Sequence, residues 1–167
     1  SGASLWAHQV YMSLLPYAPW NVQQQDSSPL HAEVARLIRQ STRENSGHDS
    51  PLQNDIYLVN RRELHVDHPI RNGDTFGRAS VVHTPGHSPD EICITLDGIV
   101  FTGDHILPEI TPHPTTKVAF RDEVSKGVPD QYRETGDCFG LERYMRSLKS
   151  VMEFGTSLSI LPAHRLY

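Results

Sequence analysis

Two apolar runs, Val81-Val82 and Ile92-Cys93-Ile94-Thr95-Leu96, bracket the stretch His83-Thr84-Pro85-Gly86-His87-Ser88-Pro89. Both runs are short and rich in β-branched residues, so each predicts a strand, the first at 79–83 and the second at 92–96. The polar stretch between them is then a strand-end loop, stiffened by Pro85 and free to bend at Gly86. Two further sites share this placement. Gly103-Asp104-His105 follows Ile99-Val100-Phe101-Thr102, and Pro162-Ala163-His164 follows Leu158-Ser159-Ile160-Leu161. Groups at the ends of neighbouring strands converge at one edge of a sheet, where layered α/β structures usually place their active sites. Imidazole and carboxylate suit zinc or a comparable divalent transition metal. A lone strand-end histidine is more often a hydrogen-bonded structural residue, and Gly-Asp is more often a turn. Three such sites behind three apolar strands favour the ligand reading.

Upstream, Ile56-Tyr57-Leu58-Val59 predicts another strand, followed by Leu64 and Val66 alternating with charged neighbours and by the turn signal Asn72-Gly73. Asp97-Gly98 marks a hairpin turn between strands 92–96 and 99–102. Leu141, Tyr144, Met145, Leu148, Val151 and Met152 share one helical face, which predicts helix 141–153 with Gly155 as its stop. The opening Ser4-Leu5-Trp6-Ala7 reads as a buried strand. Residues 16–54 have the Pro-, Gln- and Ser-rich composition of irregular surface chain, apart from a short amphipathic helix carrying Leu30, Val34, Leu37 and Ile38 behind Ser28 and Pro29. This stretch is either a solvated linker or an insertion that shapes a substrate entrance. Residues 108–137 show no assignable pattern.

Composition excludes several classes. The 167 residues suffice for one domain with a real core. A net charge of −5 argues against a nucleic-acid surface, which needs a basic stripe to displace counterions. Two cysteines, Cys93 and Cys138, are too few for a disulfide scaffold and fit a reducing, cytoplasmic setting. No apolar run approaches the roughly 20 residues needed to span a bilayer, so no membrane partner is expected.

The succession His83-Thr84-Pro85-Gly86-His87-Ser88-Pro89, Phe101-Thr102-Gly103-Asp104 and Leu161-Pro162-Ala163-His164 resembles the metallo-β-lactamase superfamily. The resemblance covers residues 56–105 and 137–165 best. It implies an α+β fold, the αββα sandwich, with 1–167 as a single domain. It also implies that His87 is a ligand of a first metal, that Asp104 bridges two metals, and that His164 belongs to the second. The metal is expected to be zinc, or another divalent ion such as iron or manganese. His83 and His105 match no ligand position and are expected to be structural. His8 receives no role, and His31, His48, His65, His68 and His113 are expected to be solvated.

The superfamily's most diagnostic motif, His-x-His-x-Asp-His, does not occur in the sequence; His65-Val66-Asp67-His68 is the nearest approach. That motif normally lies just upstream of a strand resembling Ala3 to His8. The resemblance therefore implies a truncated domain whose sandwich is incomplete, its N-terminal part absent. Leu5, Trp6 and Val82 are then candidates for exposed apolar surface, covered by a second copy of the chain or by a complementary segment. The implied activity is hydrolysis of an ester, thioester, lactone or amide in a small-molecule acyl substrate, with this chain alone inactive. The alternative is a non-catalytic binding or interaction module that retains the fold.

Overall fold

A computed structural model describes residues 2–16, 65–112, 114, 119–154 and 157–164, with the helical residues 29, 33, 36 and 37 between them. Five strands, β3 (Thr75–Phe76), β4 (Ala79–His83), β5 (Ile92–Leu96), β6 (Ile99–Gly103) and β7 (Ser159–Pro162), form one sheet in that order. All neighbours are antiparallel except β6 and β7. Asp97 and Gly98 turn the β5–β6 hairpin, both with positive φ (48° and 81°), the geometry whose twist matches that of the flanking strands. Parallel β6 and β7 need a crossover connection, and the chain between them includes the helices α2 (Asp122–Ser125), α3 (Thr135–Cys138) and α4 (Leu141–Met152). A second, two-stranded parallel sheet pairs β1 (Trp6–His8) with β2 (His68–Ile70), and α1 (Gln9–Leu14) follows β1 directly.

Among the described residues, apolar burial divides between two clusters. Val151 of α4 packs on Cys93 and Val100 of the large sheet, with half-buried Val82, Ile106 and Leu158 around them. Val10 and Leu14 of α1 pack with Phe120, Val124, Val128, Cys138 and Phe139, and Tyr132 lies against this second cluster. The T-shaped Phe120–Phe139 ring pair, 4.7 Å between centroids, sits at its centre.

The strands expected at 79–83, 92–96, 99–102 and 158–161 and the helix at 141–153 are all present, their bounds shifted by one residue at most. Four details differ. The N-terminal strand falls at Trp6–His8 and is not buried at its start: Leu5 and Trp6 are 37% and 47% exposed, as expected of uncovered apolar surface rather than of a buried strand, because β2 is the only strand that pairs with β1 among the described residues. Val82 is half-buried rather than exposed, since it lies under α4. The strand expected around Leu64 and Val66 appears downstream as β2, with Val66 buried just before it. In α4 the buried stripe is Tyr144, Ser147 and Val151, which leaves Leu141, Met145 and Met152 exposed. The strand expected at 56–59, the stop at Gly155 and most of 16–54 lie outside the described residues.

Candidate metal centre

Asp104 sits in the turn immediately after β6, at the end of the sheet. Gly103 before it takes a φ of +56°, which turns the chain out of the strand. The β6–β7 register shifts between Phe101 and Gly103, and the backbone N–H of Ala163 donates to the Gly103 carbonyl (3.0 Å). That irregularity carries the residue after Ala163 to the carboxylate, as bulges next to functional sites commonly do. His164 Nε2 lies 3.1 Å from Asp104 Oδ1, and His87 Nε2 lies 3.6 Å from Asp104 Oδ2. The three residues singled out in the sequence thus meet, with Asp104 in the middle and one imidazole at each of its oxygens.

His83 braces the loop that carries His87. Its Nε2–H donates to the Pro89 carbonyl (2.9 Å), closing the loop, and its backbone N–H donates to Asn72 Oδ1 (2.9 Å). The Asn72-Gly73 turn thereby serves as a side-chain brace for the end of β4. Burial holds the His83 imidazole down at a pKa of about 4, the hydrogen bond to Pro89 opposing and the Arg143 charge assisting. His105 is fully buried with its ring tilted on that of Tyr144 (4.9 Å). Its Nδ1 stands 3.8 Å from Glu91 Oε2, and neither ring nitrogen has a hydrogen-bond partner among the described residues. Both histidines lie inside the molecule, behind the loops that carry His87 and Asp104.

His8, which carries no sequence signal beyond its strand-end position, is buried and stacks face to face on His83. Its ring Nδ1 accepts from the Val10 N–H (3.4 Å) and caps α1. His65 and His68 are exposed, as expected, although Trp6 lies against the His68 ring at 4.2 Å. His31, His48 and His113 lie outside the described residues. The thiols of Cys93 and Cys138 are buried, and burial pushes them up to about 11 and about 12. Neither thiol is ionised near neutral pH, so neither serves as a ready nucleophile.

The residues present fit a metal ion in kind and in pairwise spacing. In a tetrahedral shell with bonds of about 2.0–2.1 Å, neighbouring donors stand roughly 3.4 Å apart, and the two His–Asp separations bracket that value. Asp104 Oδ1 is buried and, despite the nearness of His164, receives no hydrogen bond of proper geometry among the described residues. Its lone pairs are unclaimed there, which is unusual for a buried carboxylate oxygen and expected of a ligand atom. In number the donors fall short. Among the described residues, no group of three or more His, Cys, Asp or Glu side chains is arranged to hold a metal ion as it stands.

A cavity of about 650 Å³ opens elsewhere, lined among others by Asn72, His83, Tyr132, Arg143 and Ser150. None of His87, Asp104 and His164 borders it, so the candidate chemistry is at the exposed end of the sheet rather than inside that cavity. No helix among the described residues is long and apolar enough to cross a membrane.

Solved structures share this architecture. One is TTHA1623 in a di-iron-bound form, 18% identical with a TM-score of 0.53 over 98% of this chain and 58% of that one. Another is the metallo-beta-lactamase family protein TTHA1429 from Thermus thermophilus, 16% identical with a TM-score of 0.52 over 98% of this chain and 47% of that one. The chain therefore has the metallo-β-lactamase fold, an α+β architecture, and spans about half the length of these structures. No family model and no curated protein matches the sequence.

Proposed function

We propose that the chain is the metal-binding part of a metal-dependent hydrolase, with His87, Asp104 and His164 as its ligands. The observation that carries this reading is the arrangement around Asp104, whose two oxygens each face a different imidazole. Asp104 would hold an ion together with His87, His164 or both. The di-iron form of TTHA1623 supports a divalent transition metal; zinc, iron and manganese all suit this donor set. Such an ion supplies Lewis acidity, polarising a scissile carbonyl and making water acidic enough to attack near neutral pH. The chain's own residues hold and aim it. Asp104 provides the anionic charge, while Gly103 and the β6–β7 irregularity bring His164 across. The Pro89 carbonyl fixes the His83 tautomer and, with it, the loop bearing His87. Substrates in this reading are small acyl compounds: esters, thioesters, lactones or amides.

Titration of the full chain with zinc, iron(II) or manganese(II), followed by metal analysis after desalting, tests the reading. At least one ion is expected to be retained, and Asp104→Asn is expected to release it. Retention unchanged by Asp104→Asn and by His87→Ala would overturn the assignment. A second reading, a non-catalytic binding module, is favoured by the absence of His-x-His-x-Asp-His from the sequence. It predicts no retained metal in any of these proteins.

A further inference from the structure

The two loops that carry His87 and Asp104 belong to different strands, yet one helix turn holds both. The Tyr144 hydroxyl donates to the His105 carbonyl (2.9 Å) and the Ser147 hydroxyl to the Pro85 carbonyl (2.8 Å), both bonds buried. Between these two points Gly86 lies directly on the helix backbone. A Cβ at Gly86 would stand 2.5 Å from Tyr144 Cα and 2.8 Å from its N. The Tyr144 ring also backs His105, the residue after Asp104. Three residues apart on α4, the two hydroxyls project from one face of the helix, and each takes a loop carbonyl one or two residues from a proposed ligand. The Asp104 loop is closed further by the His105 N–H to the Thr102 carbonyl (3.0 Å) and the Thr102 hydroxyl to the Ile106 carbonyl (3.0 Å). Thus the distance between the loops is set by a rigid helix rather than by either loop.

We infer that Tyr144 and Ser147 are positioning residues that fix the separation of His87 and Asp104 and thereby set the affinity of the site for its ion. This rests on the metal-centre reading above. The physical ground is preorganisation: ligands already held at bonding distance lose little freedom when the ion arrives, whereas loosened ligands must be ordered at its expense. Losing either hydroxyl also leaves a buried carbonyl unpaired, at a cost in stability, so stability is measured beside affinity to separate the two effects. Ser147 occupies a buried helix position where an apolar residue would pack as well, and Phe would fill the Tyr144 site.

The test uses the full 167-residue chain and cobalt(II) as a visible probe. Affinity for cobalt, urea stability, and hydrogen–deuterium exchange without metal are measured in the parent, Tyr144→Phe, Ser147→Ala and Val151→Ala. Val151 is buried on the same helix in the cluster that Ile106 borders, but among the described residues it makes no hydrogen bond to either loop, so its truncation lowers stability while leaving both hydroxyl braces in place. The inference expects Tyr144→Phe and Ser147→Ala each to weaken cobalt binding by about tenfold or more, the range seen when partners behind metal ligands are removed. Exchange should rise at 103–106 in the first variant and at 84–88 in the second. Val151→Ala should leave cobalt affinity unchanged. Parent-like cobalt affinity in both hydroxyl variants overturns the inference and leaves the metal reading intact. Exchange that rises throughout the sheet, or equal loss of affinity in Val151→Ala, reduces the two residues to ordinary packing and also overturns it. Absence of cobalt binding in the parent overturns the metal reading and this inference with it.

Discussion

His8 and His83 stack with ring centroids 3.9 Å apart and planes 12° from parallel, both buried. Tyr132 closes the stack edge-on against both rings. The contact joins β1, in the small sheet, to β4, in the large one. Burial disfavours an imidazolium at either position and the stack disfavours two, so the folded protein holds both histidines neutral near pH 7. The hydrogen bonds agree: His8 accepts at Nδ1 and His83 donates from Nε2, each compatible with the neutral ring.

Stability should therefore fall on mild acidification. Burial, aided by the charge on His83, lowers His8 to about 3, and burial lowers His83 to about 4, against 6.5 for a free side chain. Below pH 6.5 the unfolded chain takes up protons at these sites while the folded chain does not, so stability present above that pH is lost as pH falls toward 4. Each group contributes up to about 1.4 kcal/mol per pH unit in this window. Urea denaturation between pH 7 and 4.5 checks it. His8→Asn, which can still cap α1 but does not titrate, should flatten the slope; an unchanged slope would show that the stacked pair is not its source.

Gly86→Ala should be among the most damaging small substitutions in the chain. The added methyl meets helix backbone, which cannot swing aside, and the residue's φ of +142° is one that side-chain-bearing residues rarely adopt. Overpacking and backbone strain together should cost about 2–5 kcal/mol. Gly73→Ala is the matched control: its φ is +85°, but nothing lies within 4 Å of the new methyl. Its cost should be confined to about 1–2 kcal/mol of conformational strain. Equal urea midpoints for the two variants would mean that the Gly86–Tyr144 approach is not a tight contact.

How much of this was legible beforehand differs by element. Strands β4 to β6 were readable to within a residue because β-branched runs and the Asp97-Gly98 turn agree locally. The position of α4 was readable, but its rotation was not. Hydrophobic periodicity counted Leu141, Met145 and Met152 as core, whereas the structure turns Ser147 inward. A serine is buried there because the Pro85 carbonyl satisfies its hydroxyl, and no local pattern reveals a partner so distant in sequence. His8 was opaque for the same reason, its burial depending on His83. The convergence of the three strand-end loops was legible from their placement, whereas the choice of His87 and Asp104 over the neighbouring His83 and His105 rested on the family resemblance. What was not legible is how His164 reaches Asp104, since that depends on the β6–β7 irregularity.

The chain is expected to self-associate. Phe101 on β6 and Leu161 on β7 are register partners on one face of the sheet, 40% and 45% exposed, and Ile94 of β5 is opposite Phe101 on its other side. Adjacent exposed apolar side chains across neighbouring strands make a contiguous patch, which in soluble proteins usually marks an interface. Sedimentation velocity over a concentration series should show association that Phe101→Ser reduces. A parent chain that stays monomeric throughout would overturn this expectation.

The chain alone should show little or no hydrolase turnover, even when metal is bound. Each imidazole shares one Asp104 oxygen, so each half of the site has two protein donors where a catalytic zinc ordinarily has three. The motif that would supply further histidines and an aspartate does not occur in the sequence. Without those donors an ion is held weakly, and a second ion to stabilise developing negative charge has still less to hold it. His87→Ala should therefore change metal retention while leaving an already negligible rate where it was. The measurement is an assay of metal-loaded chain on lactone, thioester and β-lactam substrates, beside His87→Ala and Asp104→Ala. Robust turnover that both substitutions abolish would show instead that the three residues suffice, with donors beyond the histidine-rich motif completing the shell.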